Sequence, residues 1–248
     1  MADGERIAFV DERARAVSVA MAGFEYRIPP DVRLGIKRAI DRYAAREGST
    51  DPRIGHDDVA AVLARGRSVA PLVRAAFERE RVPVVVGLYL PMIESEYRTN
   101  ETSSIGARGM FQMLPATGRK YGATEADLDS VDRAAPLAAR YMRERMDEFA
   151  GDRMCVALSV AAYNLGPRDI AKYLDEVVVL DQDEAEERFW AAMAGSGFQT
   201  DEKGESSRYI TQFFAAAIVG ENPEAFGLAG PPLSRATEEV PDNKVSSK

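Results

Sequence analysis

The sequence contains one cysteine, one histidine and one tryptophan among 248 residues, and each scarcity closes off some chemistry. Cys155 has no partner for an intramolecular disulfide, so the fold must rest on its core. That fits a reducing compartment or an envelope protein that needs no staples. A Ser-His-Asp triad would have to use His56, which lies in Gly55-His-Asp-Asp58, and no nucleophile-elbow motif accompanies it. No HExxH or CxxC pattern is present, which argues against a His/Cys zinc site. Long apolar runs are missing too. The longest, Val82 to Ile93, is too short to span a bilayer and contains Pro83 and Pro91. The N-terminus, Met1 to Val17, is charged and lacks the apolar region of a signal peptide, so either the chain acts where it is made or an export signal has been removed. Positive charge is in deficit, with a net charge of -8. A nucleic-acid partner and attraction to an anionic membrane surface are therefore not expected.

The composition itself, 46% hydrophobic and 29% charged, is that of a globular chain with a sizeable core, in one large domain or two small ones. Helical periodicity dominates. Val32, Ile36, Ile40 and Tyr43 form one stripe, with Asp31 as the expected N-cap. Asp57-Asp58 precede a second helix over Val59 to Leu63, and Val69 to Glu80 reads as a third. Val82 to Ile93 reads as a helix that is apolar nearly all round, hence central, with a bend at Pro91. A short helix is expected over Gly109 to Tyr121. Further helices cover Ala134 to Phe149, Arg153 to Tyr163, Asp183 to Ala194 and Tyr209 to Val219. Asn164-Leu-Gly166-Pro167 reads as a helix end. Gly195 to Ser207 reads as a polar loop, and Val177 to Leu180 is the one stretch with strand character. The fold class expected is all-α.

The chemistry concentrates at Glu94, which closes the apolar run. Desolvation there should raise the pKa of its carboxyl group. A carboxylic acid still protonated near neutral pH can donate to a leaving oxygen, as glycosidic cleavage requires.

Glu94-Ser95, Ser103, Gly106-Ala107, Gly109-Met-Phe-Gln112, Pro115-Ala-Thr117, Ala162-Tyr-Asn164 and Tyr209-Ile210 together resemble the lytic murein transglycosylases of glycoside hydrolase family 23. Leu90 to Ser95, Thr117 to Gly122 and Tyr209 to Gly227 look most like the membrane-bound D type. The resemblance covers about Pro71 to Leu228. Two departures are Met110-Phe111 in place of Leu-Met, and Glu96 where a small residue is common.

The resemblance implies a lysozyme-like fold, with an N-terminal helical segment over 1–80, a catalytic domain over 81–228 and a disordered tail over 229–248. It implies cleavage of the MurNAc-(β1,4)-GlcNAc bond of peptidoglycan to 1,6-anhydroMurNAc products, with no metal or cofactor. Glu94 would act first as general acid and then as general base on the muramic C6 hydroxyl. The paired carboxylate of most glycosidases is absent, and the substrate's acetamido group would take its place. Ser95, Ser103, Gln112, Asn164 and Tyr209 would provide hydrogen bonds, and Met110, Phe111 and Tyr163 apolar faces for sugar rings. Glu96 and Glu101 are expected to face solvent, with the cleft rim an alternative for Glu101. Trp190 and Cys155 are expected in the core. The implied setting is the periplasm of the bacterial envelope, with the protein a monomer on glycan strands. Two alternatives stay open: a goose-lysozyme-like hydrolase of the same bond, and a non-catalytic peptidoglycan-binding scaffold.

Overall fold

A computed structural model describes residues 3–48, 57–177, 185–194 and 205–237. Among these the architecture is all-α, as expected. In chain order the helices are α1 (Asp3–Ala22), α2 (Pro30–Ala44), α3 (Val59–Arg79), α4 (Val84–Glu94), α5 (Pro115–Lys120), α6 (Glu125–Leu128), α7 (Val131–Glu148), α8 (Cys155–Leu165), α9 (Pro167–Glu176), α10 (Ala185–Ala194) and α11 (Glu205–Glu221). Short 3-10 turns follow at Pro223–Phe226 and Leu233–Arg235. Extended pairing among the described residues is limited to two isolated antiparallel bridges, Thr102 with Arg108 and Arg108 with Met113. No helix among them is long and apolar enough to cross a membrane.

Two helices form the centre. In α4 every residue from Val85 to Met92 is buried, which is what a helix apolar on all sides must do. In α11, Phe213 through Ile218 are fully buried, and α2, α4, α8 and α1 pack around it. Close approach is written into small residues. A side chain at Gly220 would meet the Tyr89 ring 2.3 Å away, and one at Gly87 would meet Phe77 at 2.5 Å. Burying the large side chains of this core supplies roughly 1.5–3 kcal/mol each.

The structure departs from the expected elements at several points. The two helices expected over Val59–Leu63 and Val69–Glu80 are one, α3, with Pro71 inside it. Asp58 caps its start by accepting from the Ala60 backbone N–H at 3.2 Å. Pro71 costs that helix one hydrogen bond, and buried Ala70, Val73 and Phe77 on its core face offset the loss. Pro29, not Asp31, is the N-cap of α2, and Asp31 sits in its first turn. The helix expected from Gly109 begins only at Pro115, because positive φ at Gly109 (71°) and Gln112 (45°) breaks helical geometry. Pro167 starts α9 directly after the α8 cap, Gly166. The loss of a backbone N–H costs nothing at a first helical position.

The stretch from 229 was expected to be disordered, yet 229–237 packs on α3. Leu233 is fully buried, and Arg67 donates to the Pro231 carbonyl at 2.9 Å. Residues 238–248 lie outside the described residues, as do His56, 178–180 of the expected strand, 181–184, and 195–204 of the expected loop. Trp190 is buried edge-on against Phe189 at 4.8 Å. The Cys155 thiol is half-buried, its pKa raised by burial, and donates to the Met146 carbonyl.

Candidate active site

Glu94 is the last residue of α4. The apolar run before it buries the helix, and the chain then leaves through two successive non-glycine residues in the left-handed region, Glu96 (φ 53°) and Tyr97 (φ 62°). Such conformations cost on the order of 1–3 kcal/mol each and persist only where surrounding contacts dictate them. Here they do. The Ser95 and Tyr97 backbone N–H groups both donate to the Pro91 carbonyl, at 3.1 and 3.2 Å. The Tyr97 hydroxyl reaches back to the Leu88 carbonyl at 2.7 Å.

The Glu94 carboxyl accepts a hydrogen bond of 2.5 Å from the hydroxyl of Tyr209 on α11. Burial pushes its pKa up to about 7, against the opposing pull of that hydrogen bond. The residue is only half-buried. Protein crowds the carboxyl on most sides, while one side opens into a cavity. Burial first, and then the nearby Glu94 charge, raise the pKa values of the Tyr209 and Tyr163 phenols well above the ordinary range, so both remain hydrogen-bond donors.

The expected sugar-binding residues divide into two groups. Ser95, Met110 and Phe111 are buried, which corrects the expectation that they contact sugar. The Ser95 hydroxyl donates to the Met110 carbonyl at 2.7 Å, fastening the following loop to the residue next to the acid. Phe111 stacks on Phe77 of α3, with centroids 6.0 Å apart. Its carbonyl accepts from the Tyr163 hydroxyl at 2.7 Å. Tyr163 is half-buried and packs edge-on against Tyr141 at 5.4 Å. An apolar pair followed by an amide reads the same way whether its side chains face a ligand or the core, and the resemblance that suggested sugar contact rests on that local pattern.

Ser103 and Gln112 are half-buried and organise the loop between α4 and α5. The Ser103 hydroxyl accepts from the Ala107 N–H at 3.0 Å. The Gln112 amide donates to the carbonyls of Gly109 at 2.9 Å and Glu101 at 3.2 Å. Gly109 cannot be replaced there, since a Cβ would lie 1.8 Å from the Leu128 carbonyl oxygen. Arg108 ties the same loop to Asp129. Asn164 is exposed in the last turn of α8. Gly166, not Asn164, caps that helix.

Glu96 corrects another expectation. It is buried, 6% exposed, instead of facing solvent. Arg46, just beyond α2, holds its carboxylate at 2.5 Å, and Arg98 adds a second contact at 3.3 Å. The Asp57 N–H donates to the same carboxylate at 3.2 Å, and Arg65 of α3 donates to the Glu96 carbonyl at 2.9 Å. Glu101 is half-buried and 3.9 Å from Arg98.

A cavity of about 230 Å³ opens on Glu94, with α2 along one wall (Ala39, Arg42, Tyr43) and Gln212 of α11 on another. Sequence reasoning missed Gln212 and Arg42. Gln212 follows Tyr209 by three positions and shares its helix face, a signal that was available. Arg42 carried no local signal, because only the packing of α2 brings it to the acid.

Residues 71–185 match the family model for the transglycosylase SLT domain. Over 146 residues, 57% of this chain, the sequence is 28% identical to the membrane-bound lytic murein transglycosylase D of Escherichia coli K12. The corresponding protein of Escherichia coli O6:H1 matches to the same extent. The matched stretch is 29% of the length of those relatives. An inactive mutant of the lytic transglycosylase Slt from Pseudomonas aeruginosa aligns with a TM-score of 0.48 and 21% identity, over 66% of this chain and 25% of that one. Residues 71–185 are thus similar to the transglycosylase SLT domain, and the chain is similar over part of its length to the lytic murein transglycosylases.

Proposed function

We propose that this protein is a peptidoglycan lytic transglycosylase that cleaves the MurNAc-(β1,4)-GlcNAc bond without water and leaves 1,6-anhydroMurNAc ends. The observation that carries the reading is Glu94 itself, a carboxyl with a pKa of about 7 and no ion-pair partner among the described residues, hydrogen-bonded to Tyr209. At pH 6 to 7 much of it is protonated and able to donate to the glycosidic oxygen. As the bond to the leaving sugar breaks, the proton passes from Glu94 to that oxygen. The resulting carboxylate then takes the proton of the muramic C6 hydroxyl, whose oxygen closes on C1. The substrate's acetamido group stabilises the cationic centre in between. Glu96 and Glu101, the other carboxylates of the cavity, both face arginines, which fits a single-acid route better than a paired one.

In this reading Tyr209 orients the acid, and Gln112, Ser103, Asn164 and Tyr163 are the sequence-derived candidates for glycan contact. Ser95, Met110 and Phe111 hold the loop from behind. The protein works as a monomer in the bacterial envelope, on the periplasmic face where peptidoglycan lies. The first eighty residues act as a helical buttress for the catalytic part. Digestion of purified sacculi, with products identified by mass, tests the reaction. Wild type should release anhydro-muropeptides, and Glu94→Gln should release them about 10³-fold more slowly. Products with reducing MurNAc ends would assign the chain to hydrolysis instead.

A further inference from the structure

The cavity beside Glu94 is walled by three arginines, two of which are already engaged. Arg46 is held by Glu96. Arg98 lies 3.0 Å from Asp57 and 3.3 Å from Glu96. The third, Arg42 in the last turn of α2, has no hydrogen bond or ion pair among the described residues, and it faces the same space as the acid. Across from it Gln212 is half-buried, and its amide likewise has no hydrogen-bond partner among the described residues. A chain with a net charge of -8 thus places an uncompensated guanidinium and an unused amide in the cavity that contains its acid. The wall between them is apolar or aromatic, made by Ala39, Met92 and Tyr43.

Such a set has a definite ligand chemistry. A guanidinium presents paired N–H groups that match a carboxylate edge to edge. A side-chain amide offers both a donor and an acceptor, the complement of another amide. Small-molecule sites are commonly built this way, from apolar walls and a few convergent polar groups. Muramic residues carry this pairing of groups: a lactyl carboxylate, or a peptide linked through it by amide bonds and ending in carboxylates.

We propose that the cavity is a specificity subsite that receives a carboxylate-bearing substituent of the muramic residue, bound by Arg42 and Gln212. The proposal rests on the transglycosylase reading given above. It makes α2, which lies outside the matched SLT domain, part of the substrate-binding surface.

The test uses Arg42→Ala, a change at an exposed position that should leave folding intact, and Gln212→Ala as a second variant. Each is assayed for kcat/KM on four substrates: peptide-bearing strands, denuded strands whose only carboxylate is the lactyl group, and each of these two after conversion of carboxylates to amides. Arg42→Ala is expected to lower kcat/KM about tenfold on the carboxylate-bearing strand that the subsite recognises. The ratio of wild type to variant should collapse toward unity on amidated strands. Loss on peptide-bearing strands alone assigns the site to peptide carboxylates, and loss on denuded strands alone assigns it to the lactyl group. Gln212→Ala should follow the same substrate order with a smaller loss. Wild-type activity with Arg42→Ala equal to it on every strand overturns the subsite alone, as does a loss that persists after amidation. Wild type that yields no anhydro product on any strand overturns the transglycosylase reading and the subsite with it.

Discussion

Glu94 and Glu96 are two residues apart at one helix end, and the chain treats them in opposite ways. Glu96 is buried against Arg46 just beyond α2, Arg98, and the Asp57 backbone N–H ahead of α3. Glu94 is half-buried at the end of an apolar helix, and one neutral hydroxyl is its partner. Identical side chains thus acquire different work from the polarity of what surrounds them. One carboxylate fastens helices together, and the other is kept from ionising until about neutral pH. The sharp exit from α4, through consecutive left-handed residues, is what aims them in different directions.

Breaking each side of this contrast should have separate signatures. The largest effect is expected for Glu94→Gln, which should lower kcat by about 10³-fold, within the range of a positioned general acid, while leaving the protein folded. Residual activity within tenfold of wild type would remove Glu94 from that role. Next, Arg46→Ala removes the shortest ion pair of buried Glu96, with Arg98 still 3.3 Å away, and should lower the unfolding free energy by about 1.5–3 kcal/mol, read from urea denaturation. A loss below about 1 kcal/mol would mean that the pair contributes no more than a surface contact.

The same Glu94→Gln protein offers a third measurement, of opposite sign. The folded state holds the Glu94 pKa at about 7, above the roughly 4.3 of an unfolded glutamate. Stability from the protonated form is complete below the lower value and is lost as pH rises through the higher one. Glutamine does not titrate. Its stability relative to glutamate should therefore grow by on the order of 3 kcal/mol between pH 4 and pH 8. A difference constant across that range would contradict the raised pKa.

The smallest effect concerns Tyr209. Its hydroxyl favours the charged form of Glu94, so Tyr209→Phe should shift the alkaline limb of the pH-rate profile upward by roughly half a unit to one unit. An unchanged or lowered limb would separate the tyrosine from the acid's titration.

Much of this arrangement was legible in the sequence. Glu94 could be read because it ends an apolar run, and burial acts through that run. The central placement of α4 followed from its lack of a polar face. Tyr209 came from the resemblance, and its hydroxyl donates to Glu94. What failed was orientation. Met110 and Phe111 are apolar residues beside a glycine, and only the three-dimensional path of the loop turns them toward Phe77. Glu96 looked like a solvated charge because its cation comes from Arg46, fifty positions away, and long-range pairing leaves no trace in local pattern. Helix α1 went unread although Val10, Ala14, Val17 and Met21 form a stripe with helical spacing. Its many charges masked that spacing.

The continuity of α3 has a consequence for how the molecule can be divided. The expected border at residue 80 falls at the end of a helix whose core face is buried from Val59 to Phe77. The first residue of the matched domain, Pro71, lies in the middle of that helix. Cutting at residue 80 removes all of α3, with the Phe77 ring that lies against Gly87, and cutting at Pro71 removes its residues 59–70; both remove Arg65 from Glu96. The segment recognised by similarity is thus shorter than the smallest piece expected to fold. In this protein the unit of kinship and the unit of cooperativity do not share an edge.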